Sequence, residues 1–100
     1  MNDRKLVFED FADKVEEVFV VKDADVPAIP LNLVEAELFA TRGPQTVGRT
    51  PFSLTFVARD PRVLPQRIYR LEHDGLGMVE IFLVPASKDA QGVTYCATFN

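Results

Sequence analysis

The chain has 100 residues, 47% of them hydrophobic and 26% charged, with 11 Lys plus Arg against 15 Asp plus Glu and a formal net charge of -4. Length and apolar share fit one domain over residues 1–100, large enough to close a core, which excludes disorder; Gly at 5 and Pro at 7 without a period exclude collagen-like and low-complexity chains. No apolar run approaches the ~18–20 residues of a membrane span, and the start Met1-Asn2-Asp3-Arg4-Lys5 lacks the pattern of a secretory signal. A cytoplasmic protein with no membrane partner is therefore expected, and the lone Cys96 fits a reducing compartment because it has no cysteine to pair with.

The mild net charge conceals an asymmetry. Residues 1–37 hold ten acids and four bases, whereas residues 42–70 hold six Arg and the single acid Asp60. A basic stretch suggests a phosphate or nucleic-acid patch. Here the whole chain is negative and would repel a polyanion at long range, and no basic-plus-aromatic stacking motif is present. No nucleic-acid partner is expected; the acidic and arginine-bearing halves are expected to lie against each other or alternate on the surface.

In chain order, Phe8, Phe11, Ala12 and Val15 have helical spacing, which predicts a short amphipathic helix over about 8–15. Val18-Phe19-Val20-Val21 predicts a strand over about 17–22, closed by a turn at Lys22-Asp23-Ala24-Asp25. A second strand is expected over about 30–40. Its apolar parity switches between Leu31/Leu33 and Ala36/Leu38/Ala40, which predicts a bulge or strong bend near Val34 and Glu35. Thr41 to Thr50 reads as a polar loop. Phe52, Leu54, Phe56 and Ala58 then alternate with polar residues in a strand over about 52–59, followed by strands over about 66–72, 77–85 and 93–99.

Register follows from which residues must share a face. A three-residue loop His73-Asp74-Gly75, with Gly75 left-handed, pairs Leu71 with Gly77, Tyr69 with Val79 and Arg67 with Ile81, keeping odd positions inward. The next turn keeps the same faces if Pro85 opposes Val93. One helix and six strands predict a mainly β fold: a small six-stranded, mostly antiparallel barrel or strongly curved sheet with one short N-terminal helix, the alternative being a two-layer α+β sheet.

Phe52-Ser-Leu-Thr-Phe56, Leu64-Pro-Gln66, Tyr69-Arg-Leu-Glu-His73, Leu76-Gly77, Phe82-Leu-Val-Pro85 and Tyr95-Cys-Ala-Thr-Phe-Asn100 together form a pattern that resembles an uncharacterised bacterial domain family of about this length. The resemblance implies a stand-alone domain of unknown function. It also implies an accessory role near phage-tail-like assemblies. The chain departs from that pattern at Asp60, where the family has Gly before Pro61, and at Cys96, where it has Glu.

Catalytic candidates are few. His73, the only histidine, would need an orienting acid, and Glu72 points to the opposite face of a strand; beside Asp74-Gly75 the expected role is solvated or turn-capping, with Asp60 or Asp74 as the partner of an enzymatic alternative. Cys96 lies outward with no Lys, Arg or His within four residues to activate it. One His and one Cys do not make a metal site, Asp23-Ala-Asp25 lacks the rest of a calcium loop, and no phosphate-binding glycine loop exists, so no cofactor is expected.

Two surfaces remain. Ile68, Met78, Phe82 and Val84, with Arg70 on the rim, make an outer face too apolar for a solvated sheet; in the register above Arg70 lies near Met78 and Ile68 beside Glu80. Arg67, Tyr69 and Tyr95 are the candidate lining of a ligand pocket at the barrel mouth. The expected function is a non-enzymatic structural or protein-interaction domain with a protein partner or self-association, the alternatives being a small-ligand-binding β-barrel and, third, an enzyme.

Overall fold

The computed structural model describes residues 6–39 and 51–99. The elements are α1 (Glu9–Ala12), β1 (Val18–Val21), β2 (Pro30–Leu38), β3 (Phe52–Ala58), β4 (Arg67–His73), β5 (Gly77–Asp89) and β6 (Gly92–Phe99). The strands form a closed barrel in the order β1-β2-β3-β6-β5-β4, with every neighbouring pair antiparallel. Closure decides for the barrel and against the two-layer sheet.

The alternation in the sequence becomes the inside and outside of this barrel. Phe52, Leu54, Phe56 and Ala58 are buried while the residues between them are half-buried, and β4 and β5 show the same period of two. The pairing of β2 with β3 slips between Leu33 and Glu35, so Val34 is the bulged residue that the switch of parity predicts. Beyond it Ala36 is only half-buried and Leu38 is 48% exposed, because β1 begins opposite Asn32 and leaves this part of β2 with β3 as its strand neighbour. Ala40 and the predicted loop Thr41–Thr50 lie outside the described residues.

Both hairpin registers differ from the expected ones while the faces hold. The β4–β5 connection is Asp74-Gly75-Leu76, with His73 opposite Gly77, Leu71 opposite Val79, Tyr69 opposite Ile81 and Arg67 opposite Leu83. The left-handed residue is Gly77, at φ +74°, not Gly75. His73 stays in the strand because its Nδ1 accepts hydrogen bonds from the amides of Gly75 (2.9 Å) and Leu76 (3.1 Å), so the ring caps the turn. At the other end β5 continues to Asp89, and the two-residue turn Ala90-Gln91 places Asp89 opposite Gly92 and Pro85 opposite Tyr95, not Val93. A second bulge between Pro85 and Ser87 absorbs the odd residue and returns Val93, Tyr95 and Ala97 to the interior.

The two barrel ends close differently. At one, the segment before β1 supplies Phe11, fully buried with its ring about 6 Å from those of Phe19 (6.1 Å), Phe52 (6.0 Å) and Phe99 (6.0 Å). The helix is one turn, not the two expected, and Ala12 and Val15 are exposed. The chain must leave the helix at once to enter the sheet. Glu16, at φ 77°, makes that bend, its amide donating to the Leu33 carbonyl (2.6 Å). The opposite end is covered by Ile29 and Leu64, both buried.

Removing the plug, Phe11→Ala, is expected to cost about 3–5 kcal/mol in urea unfolding, because a ring is lost from a closed end that cannot collapse around the gap. The two left-handed glycines are expected to differ. A Cβ at Gly92 would lie 1.9 Å from the Ala58 carbonyl oxygen, whereas one at Gly77 meets nothing within 4 Å. Gly77→Ala should cost only the backbone strain of about 1–2 kcal/mol, and Gly92→Ala distinctly more. Equal losses would contradict the close approach at Gly92.

Candidate functional site

His73 is 6% exposed and makes the most specific polar arrangement in the structure. Because Nδ1 accepts from two backbone amides, the ring proton sits on Nε2, which donates to Glu17 Oε1 at 2.6 Å, and the imidazole stacks on Phe19 with centroids 4.5 Å apart. The expected capping role is present and the expected solvated position is not. The acid partner is Glu17, which lies 56 positions away and meets His73 where β1 closes against β4; none of Glu72, Asp74 and Asp60 fills that place. Both ring nitrogens are committed to the protein, and among the described residues no serine, threonine or cysteine is bonded to either.

Arg67, Tyr69 and Tyr95 are tied to loops at the opposite mouth. Tyr69 and Tyr95 are fully buried. The Tyr69 hydroxyl donates to the Pro65 carbonyl, and the Tyr95 hydroxyl accepts from the Leu64 amide at 2.9 Å, so both phenols anchor the segment that leads into β4. Burial pushes both phenol pKa values up. Arg67 lies over the Tyr69 ring, 4.6 Å from its centroid, and grips Asp25 with both terminal nitrogens at 2.8 and 2.9 Å. Asp23 stands 3.7 Å from the same guanidinium and also accepts from the Arg70 amide at 3.0 Å. Acids of the first half thus meet arginines of the second.

The outer face of β4 and β5 is uncovered. The register moves Ile68 opposite Phe82, rather than beside Glu80, and sets Arg70 opposite Glu80 and Met78 opposite Glu72. Ile68 is 59% exposed, Phe82 44% and Met78 46%, with Val84 half-buried beside them and opposite Cys96. The correction concentrates the apolar surface: Ile68 and Phe82 are now a direct cross-strand pair. Cys96 is half-buried between Val84 and Thr55. Among the described residues no cluster of His, Cys, Asp and Glu could hold a metal ion, and no helix is long and apolar enough to cross a membrane.

Sequence reasoning missed Glu17 because its role depends on closure, which brings residues from before β1 against the end of β4. It also missed the pairing of Asp60 with Arg62, where Arg62 Nη2 lies 2.6 Å and Nε 2.9 Å from the carboxylate. Hydrogen bonds from the Arg62 side chain and then its amide hold Asp60 at about 2, below the ordinary 3.8. A lowered carboxyl value means a contribution to stability that is whole above 3.8 and vanishes as pH falls through about 2. Carboxyl-carbon NMR titration should give Asp60 a midpoint near 2, moved up toward 3.8 by Arg62→Gln; a midpoint at 3.8 in the unaltered protein would contradict the pairing.

Neither a curated protein nor a solved structure matches the chain. A family model described as a domain of unknown function, DUF6916, matches residues 6–99, the span that includes every strand of the barrel, its one-turn helix and the His73–Glu17 pair. No enzymatic family is named by that match. The chain belongs to the DUF6916 domain family.

Proposed function

We propose that this domain is a non-enzymatic interaction module that associates with a second copy of itself through the outer face of β4 and β5. The observation that supports it is the exposed Ile68–Phe82 pair, extended by Val84, with exposed Met78 beyond the neighbouring charged row. Large apolar residues set directly across from one another on a strand pair are not needed by a barrel whose interior is already filled by the opposite face. The row next to that pair holds Arg70 opposite Glu80. A row bearing both signs is self-complementary: a two-fold axis through it sets each arginine against the other copy's glutamate, the isologous arrangement of most homodimers.

The closed sheet also limits how a partner can bind. With every strand paired in the ring, association uses side chains on a face and not strand addition to an edge. A subunit or accessory of a larger assembly, such as the phage-tail-like one implied by the sequence resemblance, is the setting that suits such a module.

Sedimentation equilibrium from micromolar to millimolar protein tests this reading. The expected result is a monomer–dimer equilibrium that Phe82→Glu weakens by at least about tenfold, with the thermal midpoint of the monomer unchanged because the side chain is on the outer face. A protein that stays monomeric throughout the range, or a Phe82→Glu variant that dimerises equally well, would contradict it.

A further inference from the structure

Across the ring from β4 and β5, the outer surface of β2 and β3 carries a groove of about 660 Å3 lined by Asn32, Val34, Val57, Arg59, Ala90 and Gln91. Its origin is local. Asn32 and Val57 are opposite each other across the two strands and form the floor. Val34, on the outer parity with Asn32 and 45% exposed, is the bulged residue at which β2 slips against β3. The far wall is the Ala90-Gln91 turn, held against the end of β3 by the close approach of Gly92 to the Ala58 carbonyl and fixed by the Gln91 amide, which donates to Asp89 Oδ1 at 2.8 Å. The bulge and the glycine together shape one recess.

Its charge is unusual for this chain. Of the four described arginines, Arg62 is engaged by Asp60, Arg67 by Asp25 and Arg70 by Asp23. Arg59 alone has no carboxylate partner among the described residues, although Asp60 is next to it in sequence, because Asp60 is turned to Arg62. Among the described residues no acid lines the groove. The side-chain amides of Asn32 and Gln91 make no hydrogen bond among the described residues, and Val34 and Val57 supply aliphatic surface. A cation without a partner, two amides and two valines in one recess of a net acidic protein complement an anion of particular chemistry.

We propose that this groove is a binding site for a small organic carboxylate that also carries an amide and an aliphatic arm. Arg59 takes the carboxylate through its planar fork of donors. Asn32 and Gln91 pair with the amide, and Val34 and Val57 receive the aliphatic arm. The volume lies within the ~300–1,000 Å3 typical of small-molecule sites, and a single guanidinium matches one carboxylate rather than a polyanion. The site is separate from the candidate mouth residues Arg67, Tyr69 and Tyr95 and from the Ile68–Phe82 face, so it stands or falls independently of self-association.

Amide-resolved NMR of the full chain, titrated with N-acetyl-leucine, provides the test. The expected result is saturable shifts centred on Asn32, Val34, Val57, Arg59 and Gln91. N-acetyl-leucinamide, which lacks the carboxylate, and the Arg59→Gln variant should each bind about tenfold more weakly or worse, while Lys22→Gln, which removes a cation outside the groove, binds as the unaltered protein does. Arg59 is exposed, and an unchanged amide spectrum away from the groove confirms that its variant is folded. Four outcomes would overturn the proposal: no saturable shift, shifts centred elsewhere, equal binding of the carboxylate and its neutral amide, or groove shifts that follow protein concentration alone and so report an acidic segment of another copy.

Discussion

The barrel depends on β1, a strand of four residues that has to pair on both of its sides. Toward β2 it matches Val18, Phe19 and Val20 with Asn32, Leu31 and Pro30. Toward β4 it matches only Val20 with Glu72 and Val21 with Leu71, followed by the Lys22 amide donating to the Arg70 carbonyl at 2.8 Å. This is the shortest seam in the ring, and side chains reinforce it from both ends. Glu17, just before β1, accepts a hydrogen bond from His73 Nε2 at the end of β4, while Asp23 and Asp25, just after β1, meet Arg70 and Arg67 at its start. Lys22 also faces Glu72, 3.6 Å away. The exposed pairs among these are each worth only ~0–1 kcal/mol. Their importance is their position, on the one seam with few backbone hydrogen bonds of its own.

That seam explains the charge asymmetry of the chain. Three of the acids concentrated in residues 1–37 flank β1 and are met by the cationic and imidazole side chains of β4, so closure of the sheet brings these acids to their partners. What is left over after that pairing is informative. Arg59 and the Ile68–Phe82 pair lie on opposite sides of the ring, and these are the places where the surface is not explained by the barrel's own needs.

Much of the fold was legible because a period of two is a direct imprint of a half-buried strand. The parity switch after Leu33 located the first bulge from residue types alone, and the inward set Tyr69, Leu71, Val79, Ile81, Leu83, Val93, Tyr95 and Ala97 followed from parity. The register was less legible. Alternation repeats every two residues, so a slip of two leaves every face unchanged and only the turn chemistry distinguishes the choices. At β4–β5 that chemistry is the His73 ring bonded to two turn amides, and at β5–β6 it is a bulge at Ala86 offsetting a two-residue turn; neither has a signature in residue type. The helix was overestimated because Phe8, Phe11, Ala12 and Val15 share helical spacing, while the barrel end takes only the rings of Phe11 and, at its margin, Phe8. Of the candidate residues, the exposed face was legible as an excess of apolar residues on the outer parity. The Glu17–His73 pair and the groove at Arg59 were not, since each joins segments that only closure or a bulge brings together.

The claim on which the rest stands is that β1 closes the sheet onto β4. A nuclear Overhauser contact between the α protons of Val21 and Leu71, together with slowed hydrogen exchange of the Lys22 amide, measures it directly. The account predicts both, because these groups lie across the seam and the Lys22 amide donates to Arg70. Absence of any contact between β1 and β4, with the Lys22 amide exchanging as in an open chain, would mean an open sheet and would contradict the account.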